Sequence, residues 1–270
     1  MEKRFLTPKK IAKEMINVGY TKGNLETSTM ITLGILAGVF IGFGGLANTI
    51  ISQTLGNLDV GMAKFVGALV FPVGLMLVSI AGGELFTGNN LMTLAVMNKR
   101  ITLNQMLKNW SIVWLANFIG SVLLALAVYY SGILTGDSAA KAISIAQGKV
   151  TLDIMTLIVR GILCNVLVVL AVWMAISAQD IISKLFACWF PVMLFVLCGF
   201  EHSVANMFFI PMGMLLGADI TINQLLYNLA FVTVGNIIGG GILVPFMYQH
   251  AYLNNEPVLS NVEFEANVNK

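Results

Sequence analysis

Apolar residues are gathered into six long tracts that are separated by short polar stretches. The tracts cover residues 29–51, 65–97, 110–130, 154–176, 185–216 and 226–248. A helix needs about 20 predominantly apolar residues to cross the hydrocarbon core of a bilayer. The pattern therefore predicts an all-α membrane protein with six transmembrane helices.

The second and fifth tracts are too long for one straight span. They run for 33 and 32 residues. At about 1.5 Å rise per residue, a helix of that length would reach roughly 50 Å, against about 30 Å of hydrocarbon. Each tract also has glycine and polar residues near its centre. We therefore expect the second and the fifth transmembrane helix to be broken.

The two long tracts share a motif. Gly82-x-Glu84-x4-Asn89 matches Gly199-x-Glu201-x4-Asn206 at an offset of 117 residues. Three further matches occur at an offset of 117 or 119: Asn48 with Asn165, Asn117 with Asn236, and Gly120 with Gly239. Two copies of a three-span unit insert with opposite orientation, which is the inverted 3+3 repeat of transporters and channels. Chance matching in a sequence rich in Gly and Asn is the alternative.

Composition indicates a single membrane domain. Hydrophobic residues make up 57% of the 270 residues and charged residues 10%, about the inverse of what a soluble domain needs. We expect an N-terminal segment over residues 1–28, a transmembrane domain over 29–248 and a C-terminal tail over 249–270. The net charge of +2 gives no reason to expect a nucleic-acid partner, because the basic residues follow the topology.

Lysine and arginine are concentrated on one side of the predicted spans. Eleven lie before the first tract, between the second and third, between the fourth and fifth, and after the sixth. The opposite connections hold three: Lys64, Lys141 and Lys149. Because cytoplasmic connections are the ones enriched in basic residues, we expect both termini in the cytoplasm and the chain in the inner membrane.

The segment before the first tract has an amphipathic pattern. Over residues 8–20, Ile11, Met15 and Val18 fall near one helical face, with lysines elsewhere. This pattern is typical of a helix that lies on the surface of a bilayer. A gating role at the mouth of a pore is the alternative.

Ionisable residues in the middle of a membrane span are costly, and by default they mark an ion or substrate pathway. Glu84 and the pair Glu201-His202 hold such positions. A broken helix brings N–H groups to the midplane, where they favour anions. Thr87 adds a hydroxyl at one break, and His202 adds an imidazole at the other, which burial should keep neutral.

These residues also have structural interpretations. Carboxylates beside a break can accept from N–H groups that it leaves unpaired, and fixed negative charges would oppose anion transport. We therefore assign the support of the breaks to Glu84, Glu201, Asn89 and Asn206, and a functional role to His202. Asn165 could donate to a substrate or to His202, or it could tie helices together.

Two blocks carry a resemblance to a known family. They are Gly83-Glu84-Leu85-Phe86-Thr87-Gly88 and Gly199-Phe200-Glu201-His202-Ser203-Val204-Ala205-Asn206-Met207, with support from residues 161–165, 170–173 and 235–241. With these blocks the chain resembles the formate/nitrite transporter family from about residue 64 to residue 241. The Phe-Glu-His-Ser-x-Ala-Asn-Met block is highly specific.

The resemblance implies an aquaporin-like protomer that assembles as a homopentamer in membrane lipid, with one pore per protomer. It implies small monovalent anions as substrates: formate first, then nitrite or hydrosulfide, with proton coupling left open. It also implies that Thr87 and His202 face each other between two hydrophobic constrictions. The cytoplasmic constriction would be Leu75, Leu85 and Phe86, and the outer one Phe71 and Phe195. Lys149 would lie at the extracellular mouth and raise the local concentration of anions.

Two other functions are less consistent with the sequence. A water or small-solute channel is disfavoured because the Asn-Pro-Ala pair expected of aquaporins is absent; Thr87-Gly88-Asn89 and Val204-Ala205-Asn206 stand instead. An intramembrane enzyme using Glu201 and His202 as an acid–base pair would need a nucleophile or a metal site. The three cysteines fall within spans and form no CxxC motif. We therefore expect a channel without catalysis, cofactor or metal.

Overall fold

Every regular element in the part of the chain that the structure describes is a helix. This part is residues 5–254 of the computed structural model. In chain order the helices are α1 (Pro8–Gly23), α2 (Thr27–Ile51), α3 (Val60–Val70), α4 (Val73–Leu77), α5 (Phe86–Asn89), α6 (Thr93–Met97), α7 (Leu103–Ser131), α8 (Gly136–Val150), α9 (Ile154–Ser177), α10 (Ile181–Leu197), α11 (Ser203–Leu215), α12 (Ile222–Asn236) and α13 (Val244–Tyr248). The all-α prediction is confirmed.

Five helical stretches are long and apolar enough to cross a membrane. They are Thr27–Ile51, Val60–Gly82, Leu103–Ser131, Ile154–Ser177 and Ile222–Leu253. The fifth predicted tract is divided between α10 and α11, which are apolar but shorter. The last stretch continues through a π-helical turn, Gln249–Leu253, so the predicted tail begins with helix. The rest of that tail, from residue 255, lies outside the described residues.

The second and fifth tracts are interrupted at equivalent places. In each tract the helix before the interruption ends at a glycine with a left-handed backbone: Gly82 at φ 94° in the second tract and Gly199 at φ 70° in the fifth. Only glycine adopts this conformation without steric cost. An extended residue follows, Leu85 or His202, and a new helix begins directly after it. The restarted helices therefore begin near the centre of an apolar tract.

The two halves of the chain pack in the same way. Helix α2 lies along α7, and α9 lies along α12. A Cβ added to Gly120 of α7 would lie 2.0 Å from the carbonyl oxygen of Ile35. A Cβ added to Gly239, just after α12, would lie 2.2 Å from the carbonyl oxygen of Ile162. Helices α7 and α12 both begin with a capping box, made by Thr102 with Gln105 and by Thr221 with Gln224.

Helix α1 packs against the transmembrane helices. Its buried side chains include Ile11, Met15 and Ile16, which join a cluster with Leu94 and Trp173. The chain before it is held by the end of α9, because the Leu6 N–H donates to the Ser177 carbonyl at 3.0 Å. The predicted apolar face therefore contacts protein, and the helix continues to Gly23, three residues beyond the predicted segment.

Helix α8 lies in the connection between α7 and α9, where the sequence predicted no element. Its small residues Ala142 and Ala146 are buried, and Ala146 packs on Gly213 of α11. This contact lets α8 lie close to the restarted half of the fifth tract. The helix ends at Val150, so that Lys149 comes to lie beside Glu201.

Candidate functional site

Two vestibules enter the molecule from different sides and approach each other near the two breaks. The Lys22 vestibule, about 350 Å³, is lined by residues that include Lys22, Ser79, Glu84 and Lys184. The Lys149 vestibule, about 390 Å³, is lined by residues that include Asn48, Lys64, Lys141 and Lys149. Both are of the size of ordinary ligand pockets.

A chamber of about 10 Å³ lies between the vestibules. It shares Leu75 and Leu85 with the Lys22 vestibule. It shares Phe71, Phe195 and His202 with the Lys149 vestibule. The remaining lining is aliphatic: Ile41, Val168 and Val192. The imidazole of His202 is thus the polar side chain in the lining of a space too small for a hydrated ion.

The aromatic residues around the chamber hold one another in place. The rings of Phe71 and Phe195 meet edge to face with centroids 5.9 Å apart. The ring of Phe195 also stacks on the imidazole of His202, at 5.7 Å and 12°. Phe86, predicted at the constriction with Leu75 and Leu85, is not among the residues that line the chamber, and its ring packs edge-on to Trp110.

Thr87 and His202 meet at the two breaks. Thr87 Oγ1 and His202 Nε2 are 2.9 Å apart, and both side chains are buried. His202 is the N-cap of α11, where its Nδ1 accepts from the Ala205 N–H at 3.1 Å. Because Nδ1 is used as an acceptor, the ring proton must be on Nε2, and the neutral imidazole directs its N–H toward Thr87.

The carboxylate at the first break is held by side chains. Lys22 of α1 pairs with Oε1 of Glu84, and Asn89 donates to Oε2 at 2.7 Å. Asn89 also donates to Asn109 at 2.8 Å, and Asn109 donates to the carbonyl of Lys22 at 3.1 Å. These four residues therefore form a closed ring of contacts.

The second break has the same ring. Lys149 pairs with Oε1 of Glu201 at 2.9 Å, and Asn206 donates to Oε2 at 2.7 Å. Asn206 donates to Asn228, and Asn228 donates to the carbonyl of Lys149. The Glu84 and Glu201 side chains are 7% and 3% exposed. A carboxylate so buried is tolerated only with a partner charge and hydrogen bonds, and each ring supplies both.

One asparagine side chain binds backbone groups at each break. The Phe86 N–H donates to the Asn117 side chain, which itself donates to the carbonyls of Gly34 and Glu84. At the second break, the Ser203 N–H donates to the Asn236 side chain, which itself donates to the carbonyls of Gly161 and Glu201. The sequence predicts that the carboxylates accept from freed N–H groups. They accept from Lys and Asn side chains instead, because Asn117 and Asn236 already occupy the breaks.

The sequence matches a known family over most of its length. A family model described as "Formate/nitrite transporter" matches residues 9–250. The chain belongs to the formate/nitrite transporter family. The motif-based resemblance is thereby confirmed, and the chain is a membrane-spanning transport protein.

Relatives of this transporter include proteins with stated substrates. It is 41% identical to a probable formate transporter of Methanothermobacter thermautotrophicus, over 94% of this chain and 99% of that one. It resembles the structure of an FNT family ion channel with a TM-score of 0.82 and 32% identity, covering 90% and 98% of the two chains. A pentameric formate channel with formate bound is similar at a TM-score of 0.76 and 32% identity, covering 84% and 98%.

Asn165 is not among the residues that line the chamber of this transporter. It donates to Asn90 and to the carbonyl of Asn236, both at 2.7 Å, and it contacts neither Thr87 nor His202 in the described hydrogen bonds. The glycines after α12 make room for it, since a Cβ at Gly240 would lie 2.2 Å from its Nδ2. The structure thus places Asn165 between helices.

The sequence analysis missed three residues of the two rings. Lys22 lies 62 residues before Glu84 and ahead of the first tract, so no local pattern connects them. Asn109 and Asn228 could have been found from the repeat, because they are 119 residues apart, the same offset as Asn117 and Asn236. That match pointed to a shared role at the two breaks.

Proposed function

We propose that this protein is a passive channel for small monovalent anions, with formate as the first candidate and nitrite or hydrosulfide as the alternatives. The contact of Thr87 with His202 beside the apolar chamber carries the proposal. Formate is placed first because a similar structure holds bound formate and a 41% identical relative is a probable formate transporter.

The polar pair would replace part of the water that an anion loses in the chamber. An unpaired ion entering hydrocarbon faces a cost on the order of tens of kcal/mol. The Nε2–H of His202 and the hydroxyl of Thr87 can both donate to an anion that replaces their contact with each other. The aliphatic lining excludes water and so makes each such hydrogen bond stronger.

The cap at α11 favours hydrogen bonding over proton donation. Protonated imidazole would need a hydrogen on Nδ1, which would face the Ala205 N–H and break the cap. We therefore propose that His202 acts as a neutral donor and that the anion crosses as an anion. A proton-linked pathway would require α11 to lose this cap at each cycle.

The remaining architecture is proposed from topology and from the similar structures. Each interrupted pair of helices would make one span, giving six spans within residues 29–248, between terminal segments over 1–28 and 249–270. The distribution of basic residues supports a cytoplasmic position for both termini and for the Lys22 vestibule, in the inner membrane. We propose a homopentamer in lipid, with one pathway per protomer, since a similar formate channel is pentameric.

Flux through reconstituted protein tests the proposal. Formate, nitrite and hydrosulfide should cross proteoliposome membranes, and sulfate should not. A dianion faces about four times the desolvation cost of a monoanion of equal size, because that cost scales with the square of the charge. Sulfate flux at a rate comparable with formate would contradict a narrow monovalent pathway. Osmotic water flux without anion flux would favour the water-channel alternative.

Substitutions of His202 separate its two roles. His202→Asn keeps a donor without a titratable proton, and His202→Phe removes the donor. We expect His202→Asn to retain formate current and His202→Phe to abolish it, in protein of unchanged oligomeric state. If proton donation were obligatory, His202→Asn would lose pH-dependent uptake and keep only electrogenic current. Wild-type behaviour of His202→Phe would remove His202 from the pathway.

A further inference from the structure

The Lys149 vestibule has an excess of positive charge. Three lysines line it: Lys64, Lys141 and Lys149. No aspartate or glutamate is among its lining residues. The Lys22 vestibule differs, because Glu84 is part of its lining, together with Lys22 and Lys184. The two ends of the pathway are therefore electrostatically unequal.

Two of the three charges are uncompensated. The Lys149 ammonium forms an ion pair with the Glu201 carboxylate at 2.9 Å. No ion pair within residues 5–254 involves Lys64 or Lys141. Asp137 lies one turn before Lys141 on α8, yet the two are not paired. Unpaired ammonium groups in a concave surface attract anions and raise their local concentration.

Helix geometry directs these charges into the cavity. Lys141, Ile145 and Lys149 follow one another at intervals of four residues on α8, and all three line the vestibule. Residues at that spacing share one helical face. Lys64 approaches from α3, a separate element. An anion in the vestibule can therefore be contacted from two helices at once.

The vestibule has room for a ligand larger than a transported anion. Its volume is about 390 Å³, against about 10 Å³ for the chamber below it. A three-atom anion such as formate fills little of a cavity in the range of organic-ligand pockets. A bulkier anion also fits in the vestibule, but the chamber beyond Phe71, Phe195 and His202 is too small for it.

We propose that the Lys149 vestibule is a binding site for small organic dianions, such as four-carbon dicarboxylates, held by Lys64 and Lys141. One carboxylate contacts each ammonium, and the dianion covers the entrance to the chamber without passing it. Bound dianion therefore blocks anion flux from this side. The block rests on the proposed channel function, whereas the binding does not.

Succinate serves as the probe, with sodium chloride at equal ionic strength as the reference. For detergent-solubilised wild-type protein, succinate should raise the midpoint of thermal unfolding in a saturable way, because a ligand of the native state stabilises it. In Lys64→Gln/Lys141→Gln the apparent Kd should rise at least about tenfold, since a hydrogen bond to a charged group is worth about a factor of ten. Lys108→Gln, at an exposed lysine of α7 outside the vestibule lining, is the matched control. Lys64→Arg/Lys141→Arg should restore binding.

Flux measurements give the second readout. Succinate added on the Lys149 side should inhibit formate flux in wild type and in Lys108→Gln, and should not inhibit it in the double glutamine variant. Equal stabilisation of wild type and the double glutamine variant would overturn the proposal, as would an effect that sodium chloride reproduces. Saturable succinate binding without any formate flux would leave this site standing and remove the proposed channel function.

Discussion

At the scale of single residues, the site depends on charges that are buried only with their partners. Glu84 and Glu201 each have one lysine and one asparagine amide on their two oxygens. The same asparagines connect the carboxylates to the helices that follow. A negative charge beside an anion pathway is thereby neutralised locally, which removes the objection that two glutamates would repel the substrate.

A double-mutant cycle on one ring should show this dependence. Glu201→Gln and Lys149→Met should each lower the unfolding midpoint, because each leaves the other group buried and unpaired, at a cost of about 3–5 kcal/mol. We expect the lower end of that range, since the Lys149 side chain is 18% exposed. The double variant should be less destabilised than the sum of the two. Simple additivity, measured by unfolding in detergent, would mean that the pair does not interact.

At the scale of elements, the interrupted helices could be predicted and the short helices could not. Tract length, Gly82 and Gly199 were sufficient to predict the two breaks, because an overlong apolar run has few other solutions in a bilayer. Helix α8 has no long apolar run, and its contact with Gly213 connects distant parts of the chain. The sequence also predicts that α1 lies on the bilayer surface, whereas its apolar face is buried against protein. That contact, too, connects distant parts of the chain.

Close approach of helix pairs makes two glycines irreplaceable. Gly120→Ala and Gly239→Ala should each destabilise the folded protein by about 1–3 kcal/mol, the usual cost of overpacking. In both cases the new methyl group would overlap a backbone carbonyl, which cannot rotate away.

Gly148→Ala on α8 is the matched control for this pair. Nothing lies within 4 Å of its added Cβ, and alanine is preferred to glycine in a helix by roughly 0.5–1 kcal/mol. We therefore expect its unfolding midpoint to equal or exceed that of wild type. Similar losses in all three variants would show that the close approach is not what the glycines provide.

At the scale of the whole molecule, a shared scaffold carries an asymmetric site. Both halves contain a ring of contacts around a glutamate, an asparagine that binds the backbone at the break, and a glycine at which two helices approach closely. The residues at the chamber do not: Leu85 occupies the position equivalent to His202, and Thr87 the position equivalent to Val204, at an offset of 117. Repetition in the sequence thus predicted the scaffold, and the departures from it mark the candidate pathway. The contact of Lys22 with Glu84, which joins a repeated motif to a segment outside it, could be seen only in the structure.

Opposite insertion of the two halves can be tested with single cysteines in a Cys198→Ser background. That background is needed because Cys198 is exposed, whereas Cys164 and Cys188 are buried. Gln147→Cys on α8 and Asn104→Cys at the start of α7 are both at exposed positions. If the halves are inverted and the termini are cytoplasmic, an impermeant thiol reagent added to intact cells should label Gln147→Cys only. Permeabilised cells should label both, which shows that Asn104→Cys is reactive. Equal labelling of the two in intact cells would contradict the inverted arrangement, because these positions would then share one side of the membrane.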